Sequence, residues 1–462
     1  MKRTRLITLL LISAMAPFAL FANGNSETAT SQPTAAAPQE PVTIEYWTSQ
    51  TQTDRQATIQ LLIDTFEATN PNIKVKLIAV DENDLASQLA TATNAHTAPT
   101  IIEGSSDSMV AFGADGLMDT KANQETIDAI GKDKFFDGAL KMNESPDGQP
   151  YGVPYHGWLQ GIWYRTDWFK QAGLEPPTTW ENIEKAAKYF YKPSENTYGI
   201  LVGTKSEVFT EQCFTPIALS NGANIFDSKG NLTFDTPQMK EAIEYYARLA
   251  KYNPPGPQTW RARDYYLQGK MAMFFYSTYI MDDLAIQDAA ASSLTSDNFK
   301  DLQGSKFDPE LASHTGMVPT ITHTDSASYG TIISLGILKQ DDTAKTQAAE
   351  KFIQFLYQPN SYITFLHMAP GGMNPVIKGI ADNPEFLNNP VLSRYGKKSI
   401  DDLIDGMQDI KSFGIVDGVK IEKAASVTSQ QIIPQMIYKI TQENMDVDAA
   451  MAWAESEIKA IN

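Results

Sequence analysis

The residues of this chain that could do covalent, acid–base or metal chemistry are five histidines, one cysteine and a large set of carboxylates. His96, His156, His314, His323 and His367 never fall at HExxH or any other metal-ligand spacing. No GxSxG elbow is present to expose a nucleophilic serine. Gly199, Gly203, Lys205 and Ser206 suggest a phosphate loop only superficially, because their spacing departs from GxxxxGK(S/T), and the stretch reads as strand and loop. Cys213 stands among Phe214, Ile217 and Leu219, the setting of a buried structural thiol rather than a nucleophile. A glycoside hydrolase needs two carboxylates roughly 5–10 Å apart, and no local motif favours such a pair. Catalysis thus has few footholds among these residues and no metal spacing appears, while a carbohydrate-active enzyme built on two of the many carboxylates stays open as an alternative.

Residues 151–182, YGVPYHGWLQGIWYRTDWFKQAGLEPPTTWEN, are the most informative segment of the chain. They read as a strand, an aromatic- and glycine-rich turn, a second strand, a short helix, a Pro-Pro turn and a new helix start. Such a run can carry the chain from one lobe to another while placing aromatic faces at the crossing. Trp163, Trp168 and Trp180 are assigned to cores, whereas polar neighbours surround Trp158 and Trp47.

The elements that must position these residues alternate along the chain. Val42, Ile44 and Tyr46 share one face of a strand that ends in the polar run Thr48-Ser49-Gln50. Ile59, Leu62, Ile63 and Phe66 form a helical stripe that Asn70-Pro71 stops. A second strand at 73–80 turns Lys74 and Lys76 outward. Leu85, Leu89 and Ala92 mark another helix, and a third strand at 100–103 runs into Gly104-Ser105-Ser106. Strand, helix, strand, helix, strand predicts a parallel sheet with helices on both faces. Thr178 and Glu181 have capping-box spacing, and Thr236-Pro237 places a hydroxyl at an N-cap and proline at the first helical position. Further strands are predicted at 269–275 and 328–338, with a helix at 343–357 and a loop-rich insertion at 288–314.

The N-terminus reads as a targeting segment. Lys2, Arg3 and Arg5 precede an uncharged apolar run at 6–21, which with roughly 16 residues and Pro17 is short for a membrane span of about 20. Residues 1–22 are therefore expected to be a cleaved signal peptide, and the Ser/Thr/Ala/Pro-rich 23–41 a flexible linker. No cysteine lies near the cleavage site to carry a lipid, so a periplasmic or extracellular protein is expected. Losing those three cations takes the net charge from −18 to −21, which argues against nucleic acid as a partner. Roughly 420 residues remain, enough for two lobes.

Several segments, in order, resemble the carbohydrate-binding branch of the solute-binding proteins of ABC importers, the branch that includes maltose-binding protein. Phe66–Pro71 before Ile73-Lys74-Val75 is similar to the family's "F…NP.I.V", and Ala98–Ile102 resembles its "aPDi" strand with Thr100 in place of Asp. Tyr164–Phe169 with Ala172-Gly173-Leu174 matches "YN.dlf..aGl", with Arg165 for Asn, and Pro176–Trp180 matches "PPkTW". Gly222-Ala223-Asn224, Asn231–Asp235, Gly269–Met273 and Gly371–Pro375 also fit, so the resemblance covers residues 42 to about 378.

That resemblance implies an α/β fold of two lobes, a type II-like periplasmic-binding-protein architecture with parallel-rich sheets, flanking helices and several interlobe crossings. It allots 42–152 plus 276–332 to the N-lobe and 153–275 plus 333–462 to the C-lobe. The implied function is capture of a carbohydrate in the cleft by a monomer that delivers it to a membrane permease, without reaction. Sugars pair hydroxyl edges with apolar faces, so the implied ligand-binding residues are hydroxyls, amides and aromatics at strand ends and crossings. These are Trp47, Thr48, Ser49 and Gln50 after strand one, and Ser105, Ser106 and Asp107 after strand three. Tyr155, His156 and Trp158 lie at the first crossing, Tyr276, Ser277 and Tyr279 at the second, and Tyr329 and Gly330 at the third. Gly372, Met373 and Asn374 form the late turn. Trp260–Asp264 stands outside this first rank, with Arg263 a candidate cleft residue. A glycerophosphate or glycerophosphodiester ligand is the alternative within the class, with Arg394 as its phosphate partner; a secreted carbohydrate-active enzyme is the alternative outside it.

Overall fold

The computed structural model describes residues 40–461 apart from 83 and 418, so the signal peptide at 1–22 and most of the linker at 23–41 lie outside the described residues. The predicted βαβαβ unit is present: β1 (Val42–Thr48), α1 (Thr53–Thr69), β2 (Ile73–Ala79), α2 (Leu85–Asn94) and β3 (Ile101–Ser105). β1 pairs in parallel with both β2 and β3. The α1 stripe Ile59, Leu62, Ile63 and Phe66 is buried against this sheet, each side chain contributing roughly 1.5–3 kcal/mol. α3 (Ser106–Ala114) and α4 (Thr120–Ile130) follow, and among the described residues no helix is long and apolar enough to cross a membrane.

Two long strands hold the molecule's halves together. β4 (Val153–Arg165) and β9 (Ser326–Ile337) run antiparallel through the middle of an 11-stranded sheet ordered β2-β1-β3-β9-β4-β6-β5, where β5 is Tyr198–Leu201 and β6 is Met271–Ser277. The Ile333–Ile337 end of β9 pairs with β3, while the Gln160–Tyr164 end of β4 pairs with β6. β7 (Thr315–Val318), β8 (Thr320–Thr322), β10 (Asn374–Pro375) and β11 (Ile410–Lys411) attach to these two strands. A separate hairpin, β12 (Ile415–Val416) and β13 (Val419–Lys420), follows.

Two expectations are adjusted by packing. The strand–turn–strand reading of 151–165 becomes one continuous strand with an irregularity between Pro154 and His156. Its glycines give clearance rather than a turn: a Cβ on Gly161 would lie 2.5 Å from the Val318 carbonyl of β7. The cap of the helix Trp180–Phe190 moves one residue on, because Thr179, not Thr178, accepts from the Asn182 amide at 3.2 Å. The carbonyl of Thr178 is taken by the amide of Thr322. The helix Thr343–Leu356 packs on β1 and α4, with Phe352 5.1 Å from Phe66, whereas β7 pairs with the far end of β4. β9 belongs to both halves, so a chain leaving it at Ile337 continues in the half built on β1.

Candidate functional site

A cavity of about 270 Å³ opens where elements of both halves meet. Ser106 and Asp107 reach it from the start of α3, and Tyr329 and Gly330 from the middle of β9. Glu211 comes from the helix Val208–Ser220, Phe413 from the loop after β11, and Lys420 from β13. Ser105 fixes the first of these: its hydroxyl accepts from the Ser108 amide, ending β3 and starting α3 so that Asp107 lies in the first turn. An acid there is favoured by the helix dipole. Burial raises the Asp107 carboxyl and the Lys420 charge opposes that rise. Lys420 Nζ also donates to the Asp107 carbonyl at 2.6 Å, tying the hairpin to α3. Trp158 meets Tyr329 edge to face at 6.1 Å, beside the cavity.

Inside β3, two residues before Ser105, lies a carboxylate the sequence reading did not single out. Glu103 of β3 is fully buried, and its Oε2 accepts from Tyr46 Oη at 2.6 Å and Thr48 Oγ1 at 2.7 Å. Its Oε1 accepts from Gln50 Nε2 at 2.8 Å and Ser49 Oγ at 3.1 Å. His156 Nε2 stands 3.7 Å away. Burial alone would raise the Glu103 carboxyl, but His156 and the two hydroxyls outweigh it and hold the pKa down to about 2. Gln50 passes the network to solvent, accepting from Arg55 Nη1 at 2.9 Å.

A second group of aromatics lies along β6 and after it. Tyr279 is exposed and its ring lies over Gly372, so close that a Cβ there would be 2.2 Å from the ring. Arg263 donates to Tyr276 Oη and to Asp283 Oδ1, both at 3.0 Å, and lies 5.3 Å from the exposed Trp260 ring. Burial, partly offset by Arg263, pushes the Asp283 carboxyl up to about 7. Phe209, next in the chain to the cavity-lining Val208, is 6.1 Å from the Tyr276 ring. Gly372→Ala is expected to swing Tyr279 off its seat and to cost about 1–3 kcal/mol, read from the urea midpoint and from the ring's position in a crystal structure.

The structure brings Ser106, Asp107, Tyr329 and Gly330 together on the cavity, with Trp158 adjoining. It does not bring the remaining expected residues there. Trp47 is buried in a small core with Leu85, Leu89 and Met109, because helices cover both faces of β1. Thr48, Ser49 and Gln50 spend their polar groups on Glu103. Ser105 is a helix cap, and Ser277 pairs with Gln160 at the end of β6. Tyr155 and His156 are buried against Phe365. Met373 is buried, and Asn374 Nδ2 bridges the Gly157 and Gly371 carbonyls and the Thr278 hydroxyl. Arg394 is exposed and does not line the cavity. A signal for two overlooked acids exists: Glu103 follows Ile101-Ile102 inside a strand, and Glu211 stands in a helix otherwise mostly apolar. Lys420 and Phe413 carry none, since only tertiary folding brings them to the cavity.

Three comparisons bear on this geometry. The family model of the bacterial extracellular solute-binding proteins matches residues 49–361. The chain is similar to the putative ABC transporter periplasmic-binding protein YcjN of Escherichia coli (strain K12), 31% identical over 452 residues, which is 97% of each chain. Among solved structures, the sugar-binding protein MalE of the phytopathogen Xanthomonas citri superposes with a TM-score of 0.70 at 18% identity, covering 91% of this chain and 97% of that one. That likeness shows a two-lobed periplasmic-binding-protein fold.

Proposed function

Because the chain belongs to the bacterial extracellular solute-binding proteins, we propose that it captures a carbohydrate in the cavity between its halves and delivers it to an ABC transporter permease. The observation that carries this reading is the cavity itself: hydroxyls and carboxylates from both halves surround it, with the Tyr329–Trp158 pair at one side. Hydroxyl-rich ligands want that mixture of acceptors and aromatic faces. One lobe is built on β1–β3 with the helix Thr343–Leu356, the other on β5 and β6 with the helix Val208–Ser220, and β4 and β9 are the crossings. The protein works outside the cytoplasm as a monomer after loss of residues 1–22, and it does not turn its ligand over. Glycerophosphates fit less well, since two carboxylates face one lysine in the cavity.

A thermal-shift screen of sugars and glycerophosphates at about pH 7 tests the reading. A sugar at about 100 times its Kd is expected to stabilise the protein by about 2.7 kcal/mol and raise Tm, while glycerophosphates leave it unmoved. No shift from any sugar would remove the carbohydrate reading. Conversion of the sugar during incubation would replace the receptor by an enzyme.

A further inference from the structure

The charged side chains on the cavity wall are Asp107, Glu211 and Lys420. Lys420 is committed to Asp107, through the carbonyl bond at 2.6 Å and through the charge of its carboxylate. Among the described residues no cation pairs with Glu211. It is 7% exposed, takes one hydrogen bond from Thr428 Oγ1 at 2.5 Å, and leaves Oε2 buried with no donor. Around it stand Tyr329 from β9, Thr428 from the helix Glu422–Ser429, and Asp107 and Lys420 from α3 and β13. Burial raises the Tyr329 hydroxyl, and the charges of both acids, Glu211 and Asp107, raise it further. An unsatisfied buried carboxylate oxygen is a standing cost to the empty protein. A bound group with N–H or O–H donors removes that cost.

Resting on the carbohydrate reading above, we infer that the ligand carries a protonated amine, an amino sugar or aminated polyol, seated between Glu211 and the ring of Tyr329. A carboxylate next to an aromatic face attracts an ammonium twice over, by charge and by the ring quadrupole. A neutral hexose offers Oε2 a hydroxyl but leaves the surplus negative charge unanswered. A uronic acid or phosphorylated sugar adds to that surplus. Burial, opposed by the Thr428 hydroxyl, pushes Glu211 up to about 7, so it must shed its proton to pair with the amine. Affinity for the amine therefore falls as pH drops, approaching about tenfold per unit once below the Glu211 pKa.

Calorimetric titration of the mature protein with D-glucosamine, D-galactosamine and D-mannosamine, beside their parent hexoses and N-acetyl forms, is the test. At about pH 7.5 at least one amine is expected to bind about tenfold or more tightly than its hexose and its N-acetyl form. Glu211→Gln should abolish that margin, and Tyr329→Leu, which keeps the acid, should narrow it. The wild-type pH profile from about 5.5 to 7.5 reads the same linkage without any variant. A hexose that binds as tightly as its amine, or an affinity flat with pH, overturns the amine assignment and leaves the carbohydrate reading intact. Silence from all three classes overturns the amine assignment, while the carbohydrate reading is decided by the wider sugar screen above.

Discussion

Glu103→Gln is expected to destabilise the protein by about 2–4 kcal/mol at neutral pH, the cost of breaking a buried charged network from one side. Four donors from Tyr46, Thr48, Ser49 and Gln50 converge on the carboxylate, which has no exposed surface. An amide keeps the shape but turns an NH₂ toward two of those donors. The side chain also pins the end of β1 to β3, so losing it should loosen residues 48–50 and the Arg55 contact above them. The sign with pH follows from the depressed pKa. A carboxyl held near 2 in the folded state and near 4.5 when unfolded stabilises the fold above about pH 4.5, and that contribution of about 3 kcal/mol is lost as pH falls from there toward 2. Urea midpoints across that window should fall steeply for the wild type and less for Glu103→Gln. The surface acid Glu45, paired with Lys76 at 2.8 Å, is the comparison: Glu45→Gln should cost less than about 1 kcal/mol. Equal midpoints for Glu103→Gln and Glu45→Gln would show that the network carries no weight.

The same strand shows what residue patterns can and cannot reveal. Periodicity found α1 and α2 because each buries one regular face, and Ile59, Leu62, Ile63 and Phe66 are the α1 residues that face the core, while β1, β2 and β3 were found from alternating or short apolar runs. Tyr46 and Trp47 point to opposite faces of β1, and an alternating polar pattern suggests that one face is wet. Helices cover both faces, so the two aromatics sit in separate cores and neither meets solvent. Residues right after β3 were legible as cavity residues, since strand ends are where open α/β sheets leave space. Glu211, Phe413 and Lys420 were not. They are brought to Asp107 from 104, 306 and 313 residues along the chain, and nothing local marks their arrival. The same applies to Thr343–Leu356: its amphipathic stripe announces a helix, but not which half of the molecule receives it.

At the crossing itself, Gly330→Ala is expected to cost both stability and ligand affinity. Gly330 pairs with Leu159 across β9 and β4, and a Cβ there would lie 2.1 Å from the Trp158 carbonyl and 3.1 Å from Leu159 Cα. The obstacle is backbone in a hydrogen-bonded ladder, so it cannot rotate aside as a side chain would. Gly330 is not among the glycines at positive φ, so alanine meets no conformational penalty and the effect is steric. Overpacking of this kind costs about 1–3 kcal/mol, and the rigid partner places it at the upper end. Gly230, at φ 78° with open space around it, provides the contrast: Gly230→Ala pays only for left-handed backbone, roughly 1–2 kcal/mol, and should leave binding untouched. The functional consequence arises from position. Gln160, one residue past the contact, pairs with Tyr329 of β9 and with Ser277 of β6, so this is where β4 passes from one half to the other. Spreading the strands here moves Tyr329 and Trp158 together, and ligand affinity should fall about tenfold or more. Urea midpoints with calorimetric titration separate the two effects. A Gly330→Ala protein that binds as the wild type does would mean that the crossing relaxes without disturbing the cavity, and that the close approach of β4 and β9 does not set the site's geometry.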